Sequence, residues 1–422
     1  MLFEELDLND NILDALYDMR FTTCTPIQEK CIDEILQHRD VLGVAQTGTG
    51  KTAAYLLPIL SMLDDGGFPD DAVNCIIIGP TRELAQQIDQ AMQGFGYYLE
   101  NISSVAVYGG NDGSRFDQET KGLSMGANVV IATPGRLISH IKMGHVDLKR
   151  VSFFVLDEAD RMLDMGFSED IMSIAGKLSK NCQVIMFSAT MPQKIEQLAR
   201  TLLNKPAIIK LAVNKPAEKI NQMAYICFEN QKLGIIRHLF TQNQLKRVII
   251  FSSSKLKVRD VNKALRQMNI NSGEMHSDLS QPERDNIMRE FKNAHIDVLV
   301  ATDIVSRGID IENIATVINY DVPNDNEDYV HRIGRTARAD RDGQAITFVN
   351  EKDMRKFAEI EKFLQKKIEK MPLPENLGPA PAFRPAEEKK DGKKKRHHHQ
   401  KPRKHSHNRP PKHSKPNKKN EQ

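Results

Sequence analysis

The stretch Ala45-Gln46-Thr47-Gly48-Thr49-Gly50-Lys51-Thr52 has the residue types to hold a phosphate. An apolar run, Val41–Val44, precedes it, and a helix-compatible run from Ala53 to Leu63 follows. Strand, glycine-bearing turn and helix start, in that order, leave backbone N–H groups facing an anion. Lys51 adds a point charge for terminal phosphates, and the Thr52 hydroxyl is a ligand for Mg²⁺. Ala45 stands where the strict pattern has glycine, so the match is to the relaxed form. A second cluster, Asp157-Glu158-Ala159-Asp160, follows the apolar run Phe153–Leu156. At the end of a strand, Asp157 would hold the metal through water. Glu158 would orient or deprotonate the attacking water. Taken singly, the first motif could be a flexible Gly/Thr loop and the second a solvated helix start. The pair in this order favours nucleotide chemistry.

Other polar groups fall after apolar runs in the same way. Pro80-Thr81-Arg82-Glu83 and Thr133-Pro134-Gly135-Arg136 join small residues to an arginine, which suits a nucleic-acid backbone. Ser188-Ala189-Thr190 offers hydroxyls suited to relaying hydrogen bonds. Further along come Arg307-Gly308-Ile309-Asp310 and His331-Arg332-Ile333-Gly334-Arg335-Thr336-Ala337-Arg338. Arg335 and Arg338 are three apart, which on a helix puts both guanidinium groups on one face. Such a pair suits a phosphate, and would act as arginine fingers if the two halves close over a nucleotide. A surface helix making salt bridges is the plainer reading of that segment alone.

The elements that must position these groups are legible as an alternation. Residues 1–40 read as helical, with Pro26 opening a helix that Thr25 caps. Short apolar runs then alternate with helical stretches: Cys75–Ile78, Val129–Ala132, Phe153–Leu156 and Val184–Phe187. The pattern breaks around Lys205–Lys219 at two Lys-Pro pairs. It resumes at Val248–Phe251, Val298–Ala301, Thr316–Asn319 and Ala345–Val349, without a second Gly-Lys-Thr turn. Alternation of this kind predicts parallel sheets with helices on both faces, here in two α/β domains. The expected boundaries are 1–208, a linker at 209–217, a second domain at 218–371, and a disordered basic tail at 372–422. The tail reading rests on composition, since no aromatic residue follows Phe383 and no aliphatic one larger than Ala follows Leu377.

Composition fits a soluble chain. The 422 residues are 40% hydrophobic and 27% charged, and no apolar run approaches the roughly 20 residues of a membrane span. The acidic start lacks a signal peptide's basic segment, and five cysteines without a C-x-x-C pair suit a reducing cytosol. A cytoplasmic location without membrane contact is therefore expected. The net charge of +3 hides an asymmetry. From Lys389 to Gln422, 11 Lys and 3 Arg stand against Asp391 and Glu421, a net +12 that leaves −9 on the rest. An acidic body with a basic tail points to a polyanionic partner.

With these segments in this order, residues 1–370 resemble a DEAD-box RNA helicase of superfamily 2, of the bacterial RhlE-like branch. The matching stretches are Phe3 with Phe21 through Gln28, Ala45–Thr52, Pro80–Ala85, Gly109-Gly110, Thr133–Arg136 and Asp157–Asp160. They continue through Ser188–Thr190, Ile250–Ser254, Gln281 with Arg284, Ala301–Asp310 and His331–Arg338. The resemblance implies two tandem RecA-like domains, ATP and Mg²⁺ as cofactors, and RNA bound without sequence preference by a chain acting as a monomer. It implies that Gln28 reads the adenine edge while Phe3 stacks on the ring, with Phe21 beside them. Gly308 and Asp310 would meet the nucleotide, and Arg335 and Arg338 the γ-phosphate. Arg82, Gly109, Gly110, Thr133, Arg136, Gln281, Arg284, Thr302 and Arg307 would line RNA. Ser188, Thr190 and His331 would couple hydrolysis to strand separation. Arg20, Cys24 and Ala337 depart from the family's usual Gly, Pro and Gly. None of the three touches the expected adenine or phosphate contacts. An ATP-gated RNA clamp with little unwinding, serving ribosomal or RNA-decay assemblies, fits the same motifs. A DNA translocase fits them less well.

Overall fold

The computed structural model describes residues 1–46, 48–109, 113–211, 220–242, 245–302, 314–336 and 343–385. The first half runs α1 (Asp10–Asp18), α2 (Pro26–Leu36), β1 (Val41–Val44), α3 (Lys51–Asp65), β2 (Cys75–Ile78), α4 (Arg82–Phe95) and β3 (Ser104–Val107). It continues through α5 (Gly113–Ser124), β4 (Val129–Ala132), α6 (Pro134–Lys142), β5 (Phe153–Leu156) and α7 (Ala159–Asp164). It closes with α8 (Ser168–Ala175), β6 (Gln183–Ser188), α9 (Gln193–Leu202) and β7 (Ala207–Lys210). The second half runs β8 (Ile220–Ile226), α10 (Lys232–Gln242), β9 (Val248–Ser252), α11 (Lys255–Gln267), β10 (Ser272–Met275) and α12 (Gln281–Lys292). It ends with β11 (Val298–Thr302), β12 (Thr316–Asn319), α13 (Asn326–Ile333), β13 (Gly343–Val349), α14 (Met354–Leu364) and β14 (Glu369–Met371).

The first sheet orders its strands β3-β4-β2-β5-β6-β1-β7, and the second β10-β11-β9-β12-β13-β8-β14. Adding seven to each label of the first gives the second, so the two halves share one topology. Every pair within them is parallel. Sheets of this kind are covered on both faces, which explains central strands such as Cys75–Ile78 and Phe153–Leu156 that are apolar throughout. Alternate residues feed opposite cores. Cys75, Ile77, Phe153, Val155, Ile185 and Phe187 join one cluster with α2 and α3, while Ile76, Ile78, Phe154, Leu156 and Met186 join the other. Gly43 makes room in β1, because a Cβ there would sit 2.3 Å from the Phe187 ring. Phe187 in turn packs on Tyr55 of α3, with centroids 5.7 Å apart.

Two expected boundaries move. β7 pairs with β1 from Val41↔Ala207 to Val44↔Lys210, so the first domain runs past 208. Ile209 and Leu211 pack on its core, which is why residues 209–211 are domain and not linker. Residues 212–219 and the basic segment 386–422 lie outside the described residues. The tail expected from 372 is corrected for its first part, because 372–385 packs on the second domain. Gln231 Nε2 donates to the carbonyls of Leu377 (2.8 Å) and Pro379 (3.1 Å). Phe383 meets Phe357 of α14 edge-on at 6.2 Å. Leu377 and Phe383, the last large apolar residues in the chain, are the anchors.

The shared topology exposes a difference at the equivalent turn. Lys51 opens α3 after β1, and Lys232 opens α10 after β8, but the five residues before Lys232 contain no glycine. Lys232 is fully buried and pairs with Asp321 Oδ1 at 2.7 Å, past the end of β12. Asp321 also accepts from Lys257 Nζ (2.7 Å), Ser252 Oγ (3.0 Å), and Ser253 N–H (2.9 Å) and Oγ (2.8 Å). A site that could hold an anion in one half is thus filled by the protein's own carboxylate in the other. Although burial opposes its charge, Lys232 and the donors around it hold the Asp321 carboxyl well below the usual range. A depressed folded pKa contributes stability above the unfolded value near pH 4, and loses it as pH falls further. Asp321→Asn, which leaves the buried Lys232 only the half-exposed Glu229 at 2.9 Å as a charge partner, is expected to cost about 3 kcal/mol in urea unfolding at pH 7. The deficit should shrink below about pH 4; a variant as stable as the parent at pH 7 would contradict this role.

Candidate active site and nucleic-acid cleft

Gly48 and Gly50 both take positive φ (+81° and +88°), turning the chain sharply into α3. No side chain caps α3, so its first N–H groups are left for an incoming anion. Lys51 is 6% exposed and its Nζ donates to the Ala45 carbonyl at 3.0 Å. Thr49 Oγ1 closes the turn onto the Gln46 carbonyl at 2.8 Å. Thr47 lies outside the described residues. Gln28, at the third position of α2, is buried, with one bond at each end of its amide. Its Oε1 accepts from Thr25 N–H (2.8 Å), and its Nε2 donates to the Gly50 carbonyl (3.1 Å). The bond that closes the start of α2 is therefore this one. A Cβ on Gly50 would lie 2.4 Å from Gln28 Nε2, so the glycine is required by contact as well as by φ. Phe3 is buried in the core, 3% exposed, whereas Phe21 keeps an open face at 48% and tilts against Phe95. A base can stack on Phe3 only if that ring is uncovered.

The acidic cluster follows β5, each carboxylate with its own partner. Asp157 Oδ2 accepts from Tyr55 Oη at 3.0 Å, and Oδ1 from the Glu158 N–H at 2.9 Å. Burial pushes the Asp157 carboxyl up to about 6, against the pull of nearby Lys51, and Glu158 adds to the rise. A cation bound there would offset that rise. Glu158 sits in the left-handed region (φ 53°, ψ 50°), and its Oε2 accepts from Arg161 Nη1 at 2.6 Å. Asp160 Oδ2 accepts from Ala189 N–H (3.1 Å), Thr190 N–H (2.9 Å) and Thr190 Oγ1 (2.9 Å). Ser188 Oγ donates to the Thr190 carbonyl at 2.7 Å. The ends of β5 and β6 are thereby joined through one carboxylate. Thr52 and Asp157 supply oxygen donors of the kind Mg²⁺ takes, so the residues fit that ion.

His331 reaches the cluster from α13 of the second half. Burial and then the Arg161 charge hold its imidazole down to about 4, with Asp160 and Glu158 pulling the other way. A recess of about 370 Å³ lies between Asp160, Arg161 and Thr190 on one side and Asp325, Asp328 and His331 on the other. Arg335 is buried, 6% exposed, and its charge also lowers the His331 pKa. The helix expected to carry Arg335 and Arg338 on one face is corrected. α13 ends at Ile333, Gly334 follows as its cap, and Thr336 bridges to Ile314. Thr336 Oγ1 donates to the carbonyls of Ile314 (2.7 Å) and Ala315 (3.1 Å), which pulls the chain back to the sheet edge. Arg338 lies outside the described residues, as do Gly110, Arg307, Gly308 and Asp310.

A larger cleft, about 1070 Å³, runs between the halves. Thr81, Arg82, Gly109, Thr133, Gly135 and Arg136 form one wall, with Ser277, Gln281 and Arg284 opposite. Thr81 Oγ1 caps α4, so Arg82 stands in its first turn. Thr133 holds the corresponding place before α6, where Pro134 opens the helix. Gln281 Nε2 crosses the cleft to Glu83 Oε1 at 3.3 Å. Thr302, the last residue of β11, is half-buried. Sequence reading passed over Tyr55 and Arg161. Helical spacing could have found Arg161, which follows Glu158 by three, but Tyr55 meets Asp157 across the fold and no local spacing points to it.

Comparison with known proteins agrees with this arrangement. The DEAD/DEAH box helicase model matches residues 25–198, and the helicase conserved C-terminal domain model matches 231–340. The chain is 38% identical to the ATP-dependent RNA helicase DeaD of Haemophilus influenzae over 89% of its own length and 60% of that protein's. It is also 38% identical to the DEAD-box ATP-dependent RNA helicase CshA of Geobacillus kaustophilus, covering 88% of this chain and 78% of the relative. It thus spans about 60% of the DeaD relative's length. Mss116p bound to single-stranded RNA and AMP-PNP superposes with a TM-score of 0.79 at 31% identity, covering 89% of this chain and 80% of that one. Saccharomyces cerevisiae Dbp5 bound to RNA and ADP BeF3 gives 0.77 at 30% identity, covering 88% and 95%. The two model matches fall one on each parallel-sheet domain, and with a 38% identical relative covered over 78% of its length the chain belongs to the DEAD-box ATP-dependent RNA helicase family.

Proposed function

We propose that the chain is an ATP-dependent RNA helicase that binds ATP and RNA between its halves. It locally separates short duplexes or remodels RNA–protein complexes, and releases RNA after hydrolysis. The observation that carries this is the composite site, in which Glu158, Asp160 and Arg161 of one half lie close to His331 of the other. The α3 N-terminus and Lys51 bind the phosphates, and Gln28 reads the adenine by exchanging one of its two present hydrogen bonds. Thr52 and Asp157 would hold Mg²⁺, which neutralises phosphate charge when bound. Glu158 accepts a proton from the attacking water or orients it, with Arg161 fixing one carboxylate oxygen. Arg335 and Arg338 stabilise charge developing on the γ-phosphate, and Gly308 and Asp310 complete the nucleotide contacts. Asp160, Ser188 and Thr190 carry a change at the acidic cluster to β6, and so toward the cleft. Arg82, Gly109, Gly110, Thr133, Arg136, Gln281, Arg284, Thr302 and Arg307 hold the RNA backbone. The RhlE-like branch is proposed on sequence resemblance alone, as are a cytoplasmic setting, monomeric action and service to ribosomal or RNA-decay assemblies.

The basic segment from Lys389 is proposed as a nonspecific RNA anchor. Lacking aromatics, it attracts phosphates but cannot stack on bases. Deleting residues 386–422 should weaken RNA binding at low salt and flatten its salt dependence; unchanged affinity at low salt would remove the anchor. For the catalytic reading, Arg335→Ala should keep ATP binding and lose about 10³-fold or more of RNA-stimulated hydrolysis. Glu158→Gln should bind both ligands yet turn over at least about 10²-fold more slowly. Undiminished phosphate release in either variant would contradict its role. Displacement of a short RNA duplex by the wild-type chain separates a helicase from an ATP-gated clamp with little unwinding.

A further inference from the structure

Glu119 of α5 is a carboxylate buried beneath the cleft wall, 2% exposed. Its Oε2 accepts from Arg136 Nε at 2.6 Å and lies 3.0 Å from His140 Nε2. Its Oε1 accepts the Gly109 N–H at 3.3 Å, with Arg115 Nε 4.0 Å away. Arg136 and Gly109 line the cleft, and Gly109 holds φ +72° with the Arg136 Cδ 3.4 Å from where a Cβ would stand. Arg136 also lies over the Phe116 ring, its Cζ 4.4 Å from the centroid, and Phe116 stacks on His140 at 4.6 Å. Among the described residues, Arg136 Nη2 has no hydrogen-bond partner. His140 is fully buried, and burial lowers its pKa, so the ring is neutral at pH 7. With Nε2–H donating to Glu119, Nδ1 is left as an acceptor. It faces His145 Nδ1 at 3.0 Å, which must then carry the proton.

We propose that Glu119 is the positioning residue for this wall of the RNA cleft. Its carboxylate fixes the Arg136 guanidinium and the Gly109 turn for the RNA backbone, and His140 with His145 holds the carboxylate in register. The inference rests on the reading of Arg136 and Gly109 as RNA contacts. Its chemistry is specific to a carboxylate. Arg136, His140 and Gly109 all present donors, so an amide at 119 would set its own N–H groups against one of them. Lysine or arginine side chains merely displayed on a surface need no such base.

The test uses the full chain and a single-stranded oligouridylate, with RNA-stimulated ATPase followed against RNA and salt concentration. Glu119→Gln should raise the RNA concentration for half-maximal stimulation by about tenfold, the loss of one charge-assisted contact. The salt slope should fall by about one. The kcat at saturating RNA and the KM for ATP should stay within about twofold, a split that a loss of folding would not produce. Arg136→Ala should give the same RNA shift, and the double variant should be no worse than either single one. If Arg136→Ala shifts RNA binding and Glu119→Gln does not, the positioning role is overturned while the RNA reading stands. If neither shifts it, both fall. Should Glu119→Gln fail to fold, His145→Ala at the half-exposed end decides. At least about a threefold rise in RNA half-saturation with kcat unchanged supports the proposal, and no rise overturns it.

Discussion

Three carboxylates within four residues, none more than 7% exposed, stand at the end of β5. Burying that much like charge is costly unless each group is separately compensated. The surrounding fold can be understood as that compensation. Asp157 is held by Tyr55 from α3, Glu158 by Arg161 from α7, and Asp160 by the Ala189-Thr190 turn after β6. Each partner comes from a different element, so the phosphate-loop helix, the strand end and the neighbouring turn cannot move independently. Parallel topology makes this possible, because it gathers the carboxyl ends of β1, β5 and β6 on one edge.

The second half repeats the topology but solves the same electrostatic problem internally. Where Lys51 opens α3 and its Nζ donates to the Ala45 carbonyl, Lys232 at the equivalent turn pairs with Asp321. The turn proposed to take a ligand in one half is thus closed by a carboxylate in the other. The low pKa of His331 follows from approaching Arg161 in a buried setting, a contact that exists only because the halves adjoin. The Gln281–Glu83 bond on the larger cleft is a second such crossing.

Much of this was legible in the chain. The apolar runs mark every central strand but β8, where Asn221 and Gln222 break the run, and glycine spacing marks the phosphate turn, because both depend on local pattern. Edge strands were not legible: β3, β7, β10 and β14 carry Ser, Lys, Gly or Glu and lack a continuous apolar signature. The segment 372–385 reads as tail because its average composition is polar, yet Leu377 and Phe383 dock it on the second domain. Arg335 was assigned to a helix from spacing alone, whereas Gly334 and the Thr336 bonds to Ile314 and Ala315 end that helix early. Tyr55 and Glu119 are not legible because their hydrogen-bond partners are chosen by tertiary proximity, which motif spacing does not encode, whereas Arg161 lies at helical spacing from Glu158.

We propose that RNA and ATP together draw the second half more tightly onto the first, closing His331 and Arg335 on the nucleotide. All five native cysteines are buried and unbonded, with burial holding Cys24 up at about 11 and Cys31 at about 12, so introduced thiols can be labelled selectively. Dyes at Ser124→Cys and Asn293→Cys, both exposed positions on opposite halves, report the gap by single-molecule energy transfer. The account predicts a distinct high-transfer population only when a nonhydrolysable ATP analogue and single-stranded RNA are present together. The same population with either ligand alone, or no change with both, would contradict it.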